Sequence, residues 1–502
     1  MHLNNLATRN TTHSGFSQSS DWWLQEKQQT LLLLFQQVSQ RVPAYADFLK
    51  KHKIDPSKVK HYNDLSVVPP VSKDNYLRQY PMPMLCWDGH INRGLMLCST
   101  SGSTGAPYYF PRTQQLDRQG SYLLEQFLNQ SHCKGPVLTI VCFGMGVWIG
   151  GVLIYSALQM LQQRDERAIS IIAPGINKPE ILSALKNLAP QYEEVVLLGY
   201  PPFIKDVFDT AINENIDVRS LNIKLMFAAE AITETFRQYL CDHIGISNPF
   251  TDIHNIYGSA DIGAMAIEGA AGILLKKLAS ENPQVASDFF LASKNPTAAQ
   301  YNPHFTNFDC EDSNILVSGD SALPLIRYSL GDRGGVFSFA QAKEMLAASG
   351  IDFEREAKER GAGPLPELPF VYVHERVDFS VKFYGAIIFP EHIREPVQDS
   401  RFKQYLTGRF CMEIDEDGHG DQRLVVSIEL KNGQESTPTL VKELIEHIRP
   451  SLAHHSSEYA NNLQALGKKV DPTVRLLPYE DERYFQQGIK QKWARTTDSA
   501  PS

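Results

Sequence analysis

The sequence predicts an α/β protein with a large N-terminal body and a small α+β module at its C-terminal end. Short β-branched runs alternate with helical patterns along most of the chain. The 502 residues are several times the length of one typical domain, so at least two domains are expected. The pattern changes near residue 376, and the remaining sequence reads as a compact α+β unit.

The N-terminal part begins with helical signals. Residues 21–53 predict one amphipathic helix, in which Leu31–Phe35 is apolar and glutamines lie outside. A segment containing prolines, Val67–Lys73, follows. The strands of the body are then expected within 138–143, 168–174, 193–201, 223–231 and 252–258, with helices such as 178–188 and 203–214 between them.

Residues 135–163 carry no charge, and a stretch of that length could cross a bilayer. The run divides into a strand (137–143), a glycine-rich turn (144–151) and a helix (152–161). Glycines in the middle of an isolated span would expose backbone groups to lipid. We therefore expect a buried βα unit and no membrane span.

The C-terminal module is predicted from a strand over 424–431, a helix over 439–448 and a strand over 473–478. The expected domains are an N-terminal domain, 1–376, and a C-terminal domain, 377–502.

Charge and cysteine usage exclude several classes of protein. Lys and Arg number 48 against 57 Asp and Glu, a net charge of −9 that opposes binding to a nucleic acid. The seven cysteines are scattered without a CxxC spacing, and the 15 histidines form no HExxH, which argues against a disulfide framework or a zinc site. No secretory signal is readable, so the expected compartment is the cytoplasm.

The most informative stretch is Cys98–Tyr109, CSTSGSTGAPYY, where hydroxyl residues surround two glycines. Glycine allows close backbone approach, and amides with hydroxyls can donate to phosphate oxygens. The lysine of a Walker A loop is missing. The stretch reads either as a serine-rich surface turn or as a phosphate-binding loop; in the second case the binding residues are Ser101, Gly102, Ser103, Thr104 and Gly105.

Further segments favour the second interpretation because they follow in a fixed order. They are Ala228–Thr233 (AAEAIT), Asn255–Asp261 (NIYGSAD), Ile326–Asp332 (IRYSLGD), Glu375–Gly385 (ERVDFSVKFYG) and Gly488–Lys490 (GIK). Together with the loop, this order resembles the motifs of the adenylate-forming superfamily of acyl-CoA synthetases, adenylation domains and luciferases. The turn at 143–151 and the sequence PLIRY resemble the phenylacetate-CoA ligase branch.

The resemblance implies a large N-terminal domain of mixed sheets and helices, 1–376, that binds ATP and the carboxylate. It also implies a small, mobile α+β C-terminal lid domain, 377–502. It also implies two half-reactions. A carboxylate and ATP, with Mg²⁺, give an acyl-adenylate and pyrophosphate, and a thiol such as that of CoA then takes the acyl group. A carrier protein or an amine stays open as acceptor, and so does the oligomeric state, monomer or homodimer.

Residue roles are carried over from the matched motifs. The residues implied to act in catalysis are Lys490, Thr104 and Arg376, and Lys492 is a rival for the adenylation lysine. The nucleotide would be bound by Ala229, Glu230, Asn255, Tyr257, Gly258, Ser259, Asp332 and Arg376, with Asp332 accepting ribose hydroxyls. Asp378 would be the hinge, and Asp261 the magnesium ligand.

Three departures from the superfamily motifs leave a second hypothesis open. Asp261 stands where a glutamate is usual, Tyr108 where many relatives have lysine, and His374–Glu375 in place of a glycine. A nucleotide-binding protein without ligase activity is therefore the alternative to an enzyme.

The acid itself is suggested only by composition. The expected pocket residues are Phe143, Gly144, Met145, Trp148, Gly199 and Tyr200. They include no carboxylate that could pair with an α-ammonium group. An aryl or aliphatic carboxylic acid is favoured over an amino acid.

Overall fold

The computed structural model describes residues 18–91, 94–99, 108–147, 149–290, 296–373, 380–397, 399–402, 404–416, 420–481, 483–485 and 494–495. Its α-helices are α1 Ser20–Arg41, α2 Pro43–Lys51, α3 Met82–Leu85, α4 Gln114–Gln130, α5 Ile149–Gln162, α6 Lys178–Asn187, α7 Pro201–Asn213, α8 Glu234–Ile244, α9 Pro249–Asp252, α10 Ala270–Glu281, α11 Pro283–Phe290, α12 Phe339–Ala348, α13 Phe353–Glu359, α14 Glu391–Val397, α15 Pro438–His455 and α16 Ser457–Leu466.

Its strands are β1 Met96–Ser99, β2 Tyr109–Arg112, β3 Val137–Cys142, β4 Ile169–Ile172, β5 Glu194–Gly199, β6 Ile223–Ala228, β7 Ile253–Ser259, β8 Gly263–Glu268, β9 Thr297–Gln300, β10 Thr306–Glu311, β11 Asn314–Gly319, β12 Leu325–Phe337, β13 Phe370–Val373, β14 Val381–Phe383, β15 Ala386–Ile388, β16 Leu406–Glu416, β17 Gln422–Leu430, β18 Thr473–Leu477 and β19 Ala494–Arg495. Short 3₁₀ turns lie at Pro56–Lys58, Tyr62–Val67, Leu77–Gln79, Trp87–Gly89, Ala189–Gln191, Val218–Ser220, Ser400–Phe402 and Gly467–Val470.

One large sheet organises the N-terminal body. Its order in the described part of the chain is β10-β11-β12-β13-β9-β8-β7-β6-β5-β3-β4. The strands β4, β3, β5, β6 and β7 pair in parallel. Each further pair along the sheet, from β7–β8 through β9, β13 and β12 to β11–β10, is antiparallel. The five predicted β-branched runs therefore form the parallel half. Its inner strands β3, β5 and β6 are buried on both faces, as continuous apolar strands are expected to be.

Two sequence expectations are corrected. Residues 21–53 form two helices, because the chain breaks at Val42 and Pro43 then opens α2 at a position where its missing N–H is tolerated. The helix after the glycine-rich turn begins at Ile149 instead of residue 152, so Gly150 and Gly151 are helical.

Apolar side chains fill both faces of the sheet. α4 and α5 pack on one face of the parallel half, and α6, α7 and α8 pack on the other. α1 and α2 cover the antiparallel half around β10–β12, and α10–α13 cover β9 and β13.

The C-terminal module, defined here as β14–β19 with α14–α16, has sheets of its own. β14 pairs with β15 as a hairpin, and the second sheet has the order β18-β17-β16-β19. The predicted strand, helix and strand correspond to β17, α15 and β18. The predicted domain boundary at 376 lies outside the described residues and stays a prediction.

The uncharged run contributes β3 and α5 to the body, as expected. Among the described residues, no helix combines the length and the apolar character needed to cross a membrane.

Candidate functional site

The candidate site lies at the carboxyl ends of the parallel strands. The segments that follow β3, β5, β6 and β7 leave the sheet at one edge, because parallel strands end on the same side. The predicted pocket residues and the predicted nucleotide segments belong to these connections. β1, which precedes the glycine-rich loop, is tied to the same edge by the bond from the Ser99 N–H to the Val147 carbonyl, 3.0 Å.

Aromatic rings meet in the predicted acid pocket. The Phe143 and Tyr200 rings form an edge-to-face pair with centroids 5.0 Å apart. Phe143, Gly144 and Gly199 are buried, whereas Met145 and Tyr200 are half-buried. Burial raises the pKa of Tyr200 to about 12, so its hydroxyl stays protonated at neutral pH. The two rings form an apolar contact, and the carboxylates of Glu458 and Glu230 lie near enough to the Tyr200 hydroxyl to raise its pKa further.

Tyr257 and Asp332 come from different motifs and are brought together by the sheet. The Tyr257 hydroxyl donates to Asp332 Oδ2 at 2.6 Å. Tyr257 lies near the end of β7, and Asp332 lies in β12. Asp332 is largely buried, so its carboxylate lies in an environment where hydrogen bonds to a polar ligand are strong.

The segment after β6 has an unusual backbone. Ala229 adopts a left-handed φ of 75°, which is uncommon for a residue with a side chain. Asn255 Nδ2 donates to the Glu230 carbonyl at 3.0 Å and fixes this turn. Asn255 Oδ1 and Ser259 Oγ are buried and have no hydrogen-bond partner among the described residues. Two predicted nucleotide-binding residues therefore hold buried polar atoms that the described part of the chain does not pair.

Gly258 is required by a close approach of two strands. A Cβ atom there would lie 2.8 Å from the Gly263 carbonyl oxygen of the neighbouring strand. Its place in the predicted nucleotide motif is thus explained by packing between β7 and β8, while a role in binding stays a prediction.

Asp261 is engaged by two side chains that the sequence analysis did not single out. Its Oδ2 accepts from the Tyr328 hydroxyl at 2.5 Å and lies 3.2 Å from Lys73 Nζ. Lys73 Nζ also lies 5.8 Å from the centre of the Phe110 ring, beside the end of the glycine-rich loop. Lys73 therefore places a positive charge between the predicted metal ligand and Phe110 in β2.

Asp261 still fits a magnesium site of the usual kind. Mg²⁺ in nucleotide sites takes one or two carboxylates, and substrate phosphates and water supply the other ligands. Both of these contacts use Oδ2, which leaves Oδ1 of the same carboxylate for a cation. The described residues contain no group of three or more His, Cys, Asp or Glu side chains arranged to hold a metal. Asp261 would thus be one protein ligand among substrate oxygens.

The sequence indicated the proline-containing segment that ends at Lys73, but it gave no sign of the contact between Lys73 and Asp261. Val71 forms an isolated parallel bridge with Tyr328, and the Ser329 N–H donates to the Val71 carbonyl at 2.8 Å. This backbone pairing carries Lys73 to Asp261. The proline-containing segment was visible in the sequence, but its partner strand was not.

A closed network of charges lies behind the site. Glu268 Oε1 accepts from Arg237 Nη2 at 2.6 Å and from Lys276 Nζ at 3.0 Å. Lys276 Nζ also donates to the Ile232 carbonyl at 2.7 Å. Burial alone would raise the pKa of neighbouring Glu234, but Arg237 and Lys276 lower it below its ordinary value. The network supports the segment after β6 from within the body.

Several predicted site residues lie outside the described residues. They are Ser101, Gly102, Ser103, Thr104, Gly105, Trp148, Arg376, Asp378, Lys490 and the rival Lys492. Their roles stay predictions.

Comparison with known proteins identifies the fold. No family model matches the chain, and no curated protein sequence matches it. It resembles 2-hydroxyisobutyryl-CoA ligase in complex with 2-HIB-AMP and CoA in the thioesterification state, with a TM-score of 0.61 and 15% identity over 94% of this chain and 90% of that chain. An open conformation of that ligase gives a TM-score of 0.50 and 16% identity over 93% of this chain and 90% of that chain. The predicted architecture is confirmed: the chain has the same fold as 2-hydroxyisobutyryl-CoA ligase.

Proposed function

We propose that the protein is an AMP-forming ligase. It would activate an aryl or aliphatic carboxylic acid with ATP to an acyl-adenylate and then transfer the acyl group to CoA or another thiol. The observation that carries the proposal is the role of β12, which links residues of two separate motifs. Its Asp332 accepts from Tyr257, and its Tyr328 donates to Asp261. The ligase fold supports the same reaction class.

Nucleotide binding follows from the polar atoms at the sheet edge. In the proposal, Asp332 accepts the ribose hydroxyls, since a carboxylate has lone pairs for two donors. Tyr257 packs beside the base and orients Asp332 through its 2.6 Å hydrogen bond. Asn255 Oδ1 offers an acceptor, and Ser259 Oγ can donate or accept.

Phosphate chemistry needs positive charge and donors where negative charge accumulates. We assign that role to the loop 100–107, with Thr104 among its donors, to Arg376 and to Lys490. Asp261 would hold Mg²⁺, which when bound neutralises charge on the phosphate oxygens. Lys73 adds a protein cation close to the same position. These assignments extend to the domains 1–376 and 377–502, with Asp378 as the hinge.

The acid would lie against Phe143 and Tyr200, whose apolar rings suit an aryl or alkyl group. The acceptor is proposed to be CoA, and a carrier protein or an amine is the alternative. The scattered cysteines favour action in the cytoplasm.

Carboxylate-dependent exchange between ATP and pyrophosphate, with Mg²⁺ present, tests the proposal without knowledge of the acceptor. The panel contains aryl, aliphatic and amino acids. Exchange with an aryl or aliphatic member supports the proposal and names the substrate class. Absence of exchange in protein that also fails to bind ATP would overturn it.

Matched variants connect the activity to this site. Asp332→Ala is expected to remove exchange. Asp309→Ala is the control, because Asp309 lies in the same sheet and accepts from a tyrosine, Tyr62, at 2.5 Å. Lys490→Ala should remove exchange but keep ATP binding, whereas loss in Lys492→Ala alone would assign the role to Lys492.

A nucleotide-binding protein without ligase activity is the second candidate. The ion pair between Lys73 and Asp261 favours it, because a protein cation already neutralises the predicted metal ligand. ATP binding without exchange for any acid would support this alternative.

A further inference from the structure

Glu230 belongs to the motif Ala228–Thr233, which the resemblance assigns to nucleotide binding, but its carboxylate contacts the C-terminal module. Oε1 accepts from the Gly385 backbone N–H, and Oε2 accepts from Gln422 Nε2 at 2.9 Å. The residue is 6% exposed. A buried carboxylate with two donors from another part of the fold is a strong, directional contact.

The contact fixes the turn of the β14–β15 hairpin. Gln422 Oε1 accepts from the Tyr384 N–H at 3.3 Å, and Asn462 Nδ2 donates to the Tyr384 carbonyl at 2.8 Å. Gly385 has a φ of 78°, and a Cβ atom on it would lie 2.7 Å from carbons of the Tyr200 ring. The hairpin turn therefore lies directly on a predicted pocket residue.

Ion pairs surround this contact. Lys205 Nζ on α7 lies 3.1 Å from Asp421 Oδ2 beside β17. Lys469 of the module pairs with Asp206 on α7, and Asp206 Oδ2 also lies 2.8 Å from Lys178 Nζ within the body. These pairs are partly exposed, so solvent screens them more than the buried Glu230 contact.

The backbone around Glu230 is held by the body. Asn255 Nδ2 donates to the Glu230 carbonyl, and Lys276 Nζ donates to the Ile232 carbonyl. One short segment is thus anchored in the sheet through its main chain and holds the module through one side chain.

We propose that Glu230 is a positioning residue that seats the hairpin Val381–Ile388 on Tyr200 and couples the nucleotide segment to the C-terminal module. The importance of this seating for catalysis rests on the proposed function. A ligand that moves the turn at Glu230 changes the seating of the hairpin, and by reciprocity a displaced hairpin changes the affinity for that ligand.

The test is amide hydrogen exchange of the full-length protein without nucleotide, comparing wild type with Glu230→Ala. Amides of 381–388 should exchange about tenfold faster in the variant, as expected for loss of buried hydrogen bonds to a carboxylate. Exchange in β5 and β6 should stay unchanged. Glu230→Gln, which keeps an acceptor for the Gly385 N–H, should restore most of the protection.

Glu194→Ala is the matched control. Glu194 is 7% exposed and accepts from the Gly135 N–H at 3.0 Å, so it resembles Glu230 but bonds within the body. Its loss should leave 381–388 protected. Should Glu230→Ala fail to fold, Gln422→Ala removes the other side of the contact and should accelerate the same amides.

Unchanged exchange of 381–388 in the folded variants would overturn the proposal. A fall in AMP affinity with unchanged exchange would make Glu230 a nucleotide contact instead. Because the exchange experiment needs neither nucleotide nor activity, its result is independent of ATP–pyrophosphate exchange. If the wild-type protein catalyses ATP–pyrophosphate exchange but Glu230→Ala leaves the hydrogen exchange of 381–388 unchanged, only this inference is refuted.

Discussion

Glu268 and Asn255 are direct neighbours across β8 and β7, yet their surroundings differ in kind. Glu268 is fully buried, and Arg237, Lys276 and the Ala298 N–H all donate to its carboxylate. Asn255 is 1% exposed and uses its amide N–H, whereas its Oδ1 has no partner among the described residues.

The difference separates support from binding. Buried polar groups are nearly always paired, so a closed network such as that of Glu268 is explained by the fold itself. Asn255 Oδ1 and Ser259 Oγ lie in the same strand and both lack a partner in the described part of the chain, which fits our assignment of these two atoms to the nucleotide. We call the paired network around Glu268 the closed end of this polar layer. Its open end is the side with the Asn255 and Ser259 atoms that the described residues leave unpaired, where the proposed site lies.

The largest expected effect breaks the closed end. Glu268→Gln would leave the buried cations Arg237 and Lys276 to share the single carboxylate of Glu234, which should destabilise the protein by about 3–5 kcal/mol. Glu281→Gln is the control, because Glu281 pairs with Arg360 but its side chain is 52% exposed, and its loss should change stability by less than about 1 kcal/mol. Urea unfolding measures both, and equal effects would contradict the comparison.

The next effect concerns the open end. Asn255→Ala removes the available acceptor and the tie to the Glu230 carbonyl, so AMP affinity should fall by about tenfold. Asn307→Ala is the control: Asn307 is also buried with an unpaired Oδ1, and its Nδ2 donates to the Pro303 carbonyl away from this edge. Calorimetric titration with AMP distinguishes them. An equal loss in both variants would indicate a general effect on stability.

The sequence predicted the parallel half of the sheet better than the antiparallel half. The β-branched runs identified the parallel strands because such strands are apolar on both faces, and the motifs identified Tyr257, Asp261 and Asp332. β12 was recognised only through the motif Ile326–Asp332, because its sequence lacks the continuous β-branched run that identified the parallel strands. Lys73 and Glu230 could not be assigned their partners, because those contacts join distant parts of the chain.

Lys73 tests how far the open end is already occupied by protein charge. Lys73→Met removes the ammonium group 3.2 Å from Asp261 Oδ2, so Mg²⁺ meets less competition there. The Mg²⁺ concentration for half-maximal ATP–pyrophosphate exchange should fall by about threefold, an effect reduced by the partial exposure of Lys73. Lys58→Met, at an exposed lysine, should leave it unchanged. A rise would mean that Lys73 mainly holds the phosphates.

The ion pairs of Asp206 are intermediate between buried and exposed ones, because Asp206 is buried but its lysine partners are partly exposed. Burial alone would raise its pKa, yet Lys178 and Lys469 together lower the pKa below its ordinary value of 3.8. A carboxylate whose pKa is lowered on folding stabilises the folded state at pH values above its unfolded pKa. This contribution to stability is lost as the pH falls through the folded pKa. Asp206→Asn should therefore cost less than about 1 kcal/mol between about pH 5 and 8. The difference from wild type in urea unfolding should shrink below about pH 4. A difference that grows in acid would show that Asp206 is not held as the anion by these lysines.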